Sequence, residues 1–252
     1  MSMHSSILSP LKRVCSAPRM LCIFVLVGCA MSQEAPVRLD SSDWWSYTRQ
    51  EELPVPQRRE PIRFQNREPS ESNFQAAGLA LGATWDFAEI RSKFGTATEV
   101  ERGDAASGRN QICYVSPSGR VHLIYELGEV DAVLYLFADG AKWNGSQFCS
   151  VSEEVSANIS TASGLRLGLP PQQVKGILGD PSIATPTKLV YYFSYKRRTP
   201  PEALARLRQN YPDMSDAEFT QSFEYADTES YVEARFASGK LNYLAISKSE
   251  TY

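Results

Sequence analysis

The sequence predicts an α+β fold of two tandem repeats, and three observations support that class. Gly78-Leu-Ala-Leu-Gly82 returns as Gly164-Leu-Arg-Leu-Gly168. Each copy leads into a helix-compatible segment that ends at a glycine. Each segment is then followed by alternating apolar runs typical of β-strands, separated by turn residues. Because self-similarity of this kind marks a repeated unit, we expect one helix and an antiparallel meander in each of residues 73–155 and 156–252.

The two helices are predicted at 86–94 and 170–178. Gly95 and Gly179 follow them, and glycine suits the left-handed conformation that commonly closes a helix. In the second copy Pro170-Pro171 fits the first helical turn, where no amide hydrogen is needed. Pro181 then prevents the helix from continuing.

The strands follow from alternation between apolar and polar residues. Those of the first repeat are predicted at 111–116, 120–127 and 131–138, with a fourth candidate at 143–151; Ser118-Gly119 and Asp139-Gly140 supply turns. Those of the second repeat are predicted at 187–196, 229–237 and 240–248, with a turn at Ser238-Gly239.

A helical insertion is predicted within the second repeat, at about residues 199–226. Thr199 with Glu202, and Ser215 with Glu218, have the spacing of capping boxes, in which a hydroxyl and a carboxylate satisfy the first amides of a helix. Tyr211-Pro212 separates the two starts. Two short helices should therefore interrupt the meander.

Residues 168–181 carry a family resemblance. They read Gly-Leu-Pro-Pro-Gln-Gln-Val-Lys-Gly-Ile-Leu-Gly-Asp-Pro, which resembles the opening of SmpA/OmlA-type outer-membrane lipoproteins and of modules with the β-lactamase-inhibitor-protein fold. The first copy departs from the pattern, because Gly82 to Gly95 is two residues longer and no proline follows. The resemblance implies helices packed on one face of an antiparallel sheet, in a protein that binds other proteins and catalyses nothing.

The N-terminus resembles a bacterial lipoprotein signal peptide at residues 1–28. Three cations, at Lys12, Arg13 and Arg19, precede an apolar run that is too short to cross a bilayer. The run ends in Leu-Val-Gly before Cys29, which by this resemblance becomes the lipid-bearing first residue. Ala30, in place of an aspartate, resembles export to the outer membrane on its periplasmic side. Secretory cleavage after Ala30, which would give a soluble secreted product, is the alternative.

Cysteine content and charge bound the function classes. Apart from the leader and Cys29, the chain keeps Cys113 and Cys149, which either pair in an oxidising compartment or remain two buried thiols. Removing the leader leaves 23 basic against 29 acidic residues, a net charge of −6. A mildly acidic body favours neither nucleic acid nor an anionic lipid surface as partner.

Residues 29–72 are predicted to be the lipidated cysteine and a flexible tether. Proline and charge are dense here, and such a stretch buries too little apolar surface to offset its ordering entropy. Trp44, Trp45 and Tyr47 interrupt this polarity. They suit the bilayer interface, docking on the folded domain or contact with a partner.

Residues for ordinary catalysis are scarce. Outside the leader the one histidine is His122, and Glu126 lies four residues along the same predicted strand, about 13 Å away at 3.3 Å per residue. We expect a solvated histidine there, no metal site and no cofactor. A two-carboxylate hydrolase stays open, since acids close in space need not be close in sequence.

Partner binding is the leading expectation. In 229–237 and 240–248 apolar residues alternate with tyrosines and charges, which are favoured at interfaces. The candidate partner-binding face consists of Tyr231, Glu233, Arg235, Tyr243, His122 and Glu126. The expected partner is an unidentified envelope protein. The role is that of an envelope-assembly accessory or, by fold analogy, of an inhibitor of an envelope or extracellular enzyme.

Overall fold

Long alternating runs pair into one ten-stranded sheet, and a separate two-stranded hairpin accompanies it. The computed structural model describes residues 64–81, 86–102, 109–128, 131–138 and 146–252, together with the backbone of Val37–Arg38. All of these described residues belong to one compact unit. The leader, Cys29, most of the tether and its three aromatic residues lie outside the described residues.

The strands and helices have the following bounds. The strands are β1 Val37–Arg38, β2 Gln75–Ala76, β3 Leu79–Ala80, β4 Glu99–Arg102, β5 Arg109–Val115, β6 Val121–Leu127, β7 Asp131–Ala138, β8 Ser150–Val151, β9 Ile183–Thr185, β10 Lys188–Arg198, β11 Tyr225–Ala237 and β12 Lys240–Thr251. The α-helices are α1 Phe87–Phe94, α2 Pro171–Leu178, α3 Pro201–Asn210 and α4 Asp216–Phe223. The α+β class is confirmed. Among these described helices, none has the length and apolar character that a bilayer crossing requires.

The order of strands in the sheet is β1-β4-β5-β6-β7-β12-β11-β10-β9, and β8 pairs with β5. Strands β4–β7 follow α1, and strands β9–β12 follow α2. The last strand of each set, β7 and β12, pair antiparallel at the middle of the sheet. Most pairings are antiparallel; β1 with β4 and β8 with β5 are parallel.

The predicted helix boundaries of α1 and α2 are confirmed. The Asp86 side chain accepts a hydrogen bond of 2.8 Å from the Glu89 amide. Gly95 and Gly179 cap the two helices at φ 94° and 82°, with ψ near 180°, a combination that is essentially restricted to glycine. Pro171 occupies the first turn of α2.

The insertion also forms two helices, but only one of them uses the predicted cap. Ser215 and Glu218 make the reciprocal capping box of α4. The Thr199 capping box is wrong, because Pro200 occupies the cap position of α3 and provides no side-chain hydrogen bond. The consecutive prolines instead start the helix through their fixed φ.

One large core lies between the sheet and the layer that holds α1 and α2. Ile90 and Val174 from the helices are fully buried in it against alternate strand residues such as Leu123 and Val232. The leucines of the two Gly-Leu-x-Leu-Gly segments, Leu79 and Leu81 in the first and Leu165 and Leu167 in the second, are part of this core. Ala76 and Thr161, which precede the two segments, form an isolated β-bridge.

Several strands differ from the predictions. Four short pieces of β-structure, β1, β4, β9 and the β2–β3 hairpin, were not predicted, because two to four residues give no measurable alternation. The candidate strand at 143–151 is wrong over most of its described part: Ser146–Phe148 is a 3-10 helix, and only β8 extends there. Strands β11 and β12 are longer than predicted.

The end of the predicted tether is part of the folded body. Gln65 bridges to Phe193 of β10. The Arg67 guanidinium lies 5.0 Å from the Phe193 ring centre and donates a hydrogen bond of 2.8 Å to the Leu178 carbonyl. Glu71 accepts from Lys248, which is 2% exposed, at 3.1 Å. The tether prediction is therefore wrong for residues 64–72, where charged side chains have buried or partly buried partners, and for Val37–Arg38, whose backbone pairs with β4.

Cys113 and Cys149 lie at disulfide distance and join β5 to the segment before β8. Replacing both with alanine should lower the free energy of unfolding by about 3–4 kcal/mol, because a bridge spanning 36 residues restricts the unfolded chain. Urea titration followed by circular dichroism measures the change. An unaltered midpoint with unaltered slope would show that the bridge contributes nothing to stability.

Candidate protein-binding surfaces

The six side chains of the predicted partner-binding face come together on one side of the sheet, opposite α1 and α2. Strand pairing places them in three adjacent rows across β6, β7, β12 and β11. The first row is His122, Phe137, Tyr243 and Arg235. The second is Ile124, Tyr135, Ala245 and Glu233, and the third is Glu126, Val133, Ser247 and Tyr231. We call this side of the sheet the outer face.

The outer face is much less accessible than a partner-binding surface requires. The exposed fractions are 3% for Glu126, 8% for Glu233, 9% for Arg235 and 2% for Tyr243. The expectation of a solvated histidine is also wrong, because His122 is half-buried and stacks on Phe137 at 5.0 Å between ring centres. Alternation in sequence separated the two faces correctly but could not show that both are covered.

Glu233 is the centre of one charged cluster on the outer face. Its carboxylate accepts hydrogen bonds from the Tyr231 hydroxyl and the Arg235 guanidinium, and the Lys188 ammonium lies 3.9 Å away. The Arg235 guanidinium also lies 4.7 Å from the ring centre of Tyr243. Burial, together with the neighbouring Glu233 charge, raises the pKa of Tyr231, so its hydroxyl remains a hydrogen-bond donor at neutral pH.

Arg109 is the centre of a second charged cluster, toward the β5 side of the outer face. Its two terminal nitrogens each lie 2.7 Å from a carboxylate, one of Glu126 and one of Asp131. The Gln111 amide donates to the other oxygen of Glu126. The charges in both clusters are therefore used in internal pairs.

Glu126 and Glu233, the two carboxylates of the predicted partner-binding face, are farther apart than the carboxyl pair of a two-carboxylate hydrolase. Glu126 on β6 and Glu233 on β11 are separated by three strand spacings, or about 14 Å at 4.8 Å each. Glycoside hydrolases hold their two carboxyls about 5–10 Å apart. Among the described residues, no three His, Cys, Asp or Glu side chains are grouped as metal ligands.

The helical insertion, together with Tyr252 just after β12, presents a second, more accessible surface. Tyr211 and Tyr252 are 45% and 43% exposed, and both rings contact Phe223, at 5.0 and 5.8 Å between centres. Phe219 extends the group and lies 4.1 Å from the Arg208 guanidinium. We call Tyr211, Phe219, Phe223 and Tyr252 the aromatic cluster.

Helix α3 lies beside this cluster in sequence and is only partly covered. None of its ten residues is fully buried, and Leu204 and Leu207, which share one helix face, are half-buried. A hollow of about 580 Å³ lies at the turn between α3 and α4, lined by Tyr211, Asp213 and Glu218 among others. The insertion therefore leaves tyrosine and leucine side chains incompletely buried, and aromatic residues are enriched at protein interfaces.

The sequence analysis located the insertion but did not identify its surface residues. Tyr211 beside Pro212 was interpreted only as a break between helices, and Tyr252 was not considered. The available signal was the spacing of Leu204 with Leu207 and of Phe219 with Phe223, which places each pair on one face of a short helix.

Comparisons with known proteins give no relative. The chain matches no protein-family model, no curated protein and no solved structure.

Proposed function

We propose that this chain is a lipid-anchored envelope protein that binds another protein through its helical insertion and catalyses no reaction. The observation that carries the proposal is the aromatic cluster, with two tyrosines more than two-fifths exposed beside a helix that buries none of its residues. Tyrosine and arginine at such a surface provide large contact areas with polar ends.

We also propose that the two halves of the fold are tandem repeats. Each half has a Gly-Leu-x-Leu-Gly segment, a glycine-capped helix and four consecutive strands. The halves meet at equivalent last strands, β7 and β12. Their difference is the insertion between β10 and β11, which has no counterpart between the described strands β5 and β6. An element added to one copy alone is a natural place for a specific binding function.

Lipid attachment at Cys29 completes the proposal. The lipobox-like Leu-Val-Gly-Cys supports it, and two or more acyl chains are sufficient for stable anchoring. The anchor would hold the insertion on the periplasmic side of the outer membrane, where either an assembly accessory or an enzyme inhibitor could meet its partner.

Cross-linked affinity capture from intact cells tests the proposed function. We expect the wild-type chain to enrich one or a few envelope proteins and the double variant Tyr211→Ser/Tyr252→Ser to lose most of that enrichment. Val151→Ser is the matched control, because Val151 is 67% exposed on a different element. Its capture should equal that of the wild type.

The outcomes separate the parts of the proposal. Capture that survives in the double variant would contradict the insertion as the binding surface. A Cys29→Ser chain that stays in the membrane fraction with the mature mass would contradict the lipid anchor. The capture is repeated with a soluble form that begins at Ala30. Outer-membrane barrels captured only by the anchored chain would indicate an assembly accessory, whereas one enzyme captured equally by the anchored and the soluble forms would indicate an inhibitor.

A further inference from the structure

The turn between α3 and α4 already holds one arginine side chain in a defined way. The Arg208 guanidinium lies 4.1 Å from the centre of the Phe219 ring. It also pairs with the Asp216 carboxylate and donates a hydrogen bond of 2.7 Å to the Met214 carbonyl. A planar cation is thus bound by an aromatic ring, a carboxylate and a backbone oxygen, which are the groups that guanidinium prefers.

The hollow at the same turn offers a similar set of groups without a cation. Tyr211, Asp213 and Glu218 line it. The Tyr211 ring is 45% exposed, and the two acidic side chains are exposed as well. The described residues that line the hollow include no lysine and no arginine. The hollow therefore combines negative charge with an accessible aromatic ring, and its volume of about 580 Å³ admits a long side chain.

The two carboxylates of the hollow differ from other acidic groups of the insertion in their partners. Asp216 and Glu224 each pair with an arginine. Within the part of the chain that the structure describes, Asp213 and Glu218 pair with no lysine or arginine. The Glu218 carboxylate instead accepts hydrogen bonds from the Ser215 hydroxyl and amide, at 2.7 and 3.2 Å. These hydrogen bonds hold the pKa of Glu218 below its usual value, so the carboxylate is charged at neutral pH.

The helix ends beside the hollow add to its negative charge. Helix α3 ends at Asn210, and both Asn210 and Tyr211 border the hollow. The last carbonyls of a helix carry partial negative charge, which favours a cation there. Helix α4 begins at the same turn, but Asp216 and Glu218 in its first turn offset the positive end of its dipole. The hollow is therefore complementary to a positive charge.

We propose that the hollow receives an arginine side chain of the protein partner, which stacks on the Tyr211 ring and pairs with Asp213 and Glu218. Arginine suits these groups better than lysine, because its planar guanidinium can lie on a ring while its edge donates to carboxylates. This inference rests on the proposed binding through the insertion and adds the chemistry of the contact. The partner presents a basic surface, and its attraction to the hollow weakens as salt concentration rises.

A titration of the whole protein with two peptides, followed by nuclear magnetic resonance, tests the arginine contact. The probes are acetyl-Ala-Arg-Ala-amide and the same peptide with citrulline, which keeps the shape of arginine without its charge. We expect the arginine peptide to shift the amide signals of Tyr211, Asp213 and Glu218. At low salt it should bind about tenfold more tightly than the citrulline peptide, through one cation–π contact and two exposed ion pairs. Equal shifts with both peptides, or none with either, would overturn the proposal.

Two double variants separate this contact from an effect of net charge. Asp213→Asn/Glu218→Gln removes both carboxylates of the hollow, while glutamine still serves the capping box of α4. Its affinity for the arginine peptide should fall about tenfold. Glu202→Gln/Glu229→Gln removes the same number of charges from exposed positions outside the hollow and should bind as the wild type does. Equal affinities of the two double variants for the arginine peptide would overturn the proposal.

The capture experiment distinguishes failure of this inference from failure of the proposed function. We expect capture of the partner to be lost in Tyr211→Ser/Tyr252→Ser and in Asp213→Asn/Glu218→Gln. Loss in the tyrosine variant with capture retained in the acid variant would overturn the arginine contact and leave the insertion as the binding surface. Capture retained in the tyrosine variant would contradict the binding surface itself.

Discussion

Replacing Glu233 with alanine is expected to lower the free energy of unfolding by about 3–5 kcal/mol, the range measured when one member of a buried ion pair is removed. Glu233 is 8% exposed, and its carboxylate is shared by Arg235, Lys188 and the Tyr231 hydroxyl. Without it, two cations that are 9% and 7% exposed lose this counter-charge while remaining in place. Urea denaturation at neutral pH measures the loss.

The same strand provides the control for this prediction. Glu229 lies four residues before Glu233 on β11 and is exposed. Glu229→Ala should change the free energy of unfolding by no more than about 0.5 kcal/mol, as is usual for a surface site. If the two variants were equally stable, the Glu233 cluster would have to be solvated in solution.

The elements that sequence analysis predicted well are those with local causes. Asp86 and Gly95 fix the two ends of α1 through their own backbone and side-chain hydrogen bonds, so neither end depends on distant residues. Strand β7 was predicted at its observed bounds, because its apolar run and the Asp139-Gly140 pair that follows it are both local features of the sequence. Register across the sheet then follows, and it brings the six nominated residues to one face.

What the sequence could not predict depends on contacts between distant segments. The alternation in β11 shows that Tyr231 and Glu233 face away from Val232, but not whether anything lies over them. Arg67 and Lys248 are charged residues that the sequence alone would place on an open surface. Their hydrogen-bond partners lie more than 100 residues away in the chain. The exposed fraction of Tyr211 also depends on distant residues, because its ring contacts Phe223, which in turn contacts Tyr252.

The largest expected effect is loss of stability in alkali. Tyr114, Tyr125 and Tyr191 are each 0% exposed. Burial raises the pKa of Tyr114 and of Tyr191 to about 12, and it raises the pKa of Tyr125 as well. The unfolded chain releases these phenolic protons near pH 10. Between pH 10 and 12 the folded state therefore binds more protons than the unfolded state, so stability falls as pH rises.

Each buried tyrosine loses about 1 kcal/mol of stability between pH 10 and 11, because the unfolded phenol is only half ionised at pH 10, and the three together lose about 3 kcal/mol there and about 6 kcal/mol by pH 12. That is a large fraction of the stability of an ordinary domain, about 5–15 kcal/mol. The urea midpoint should fall little between pH 8 and 9.5 and steeply above pH 10. The ultraviolet absorbance of tyrosinate should show part of the tyrosines ionising only as the chain unfolds.

Tyr191→Phe isolates the cause, because it keeps the ring against Phe193 and removes one titrating group. Within the described residues the Tyr191 hydroxyl makes no hydrogen bond, so its removal should be nearly neutral at pH 7. Above pH 10 the three tyrosines together give the wild type a certain loss of unfolding free energy per pH unit. The variant keeps two of them and should show about two-thirds of that loss. An unchanged slope would mean that Tyr191 ionises inside the folded protein. The core around β10 would then have to admit water at high pH, in conflict with its complete burial at neutral pH.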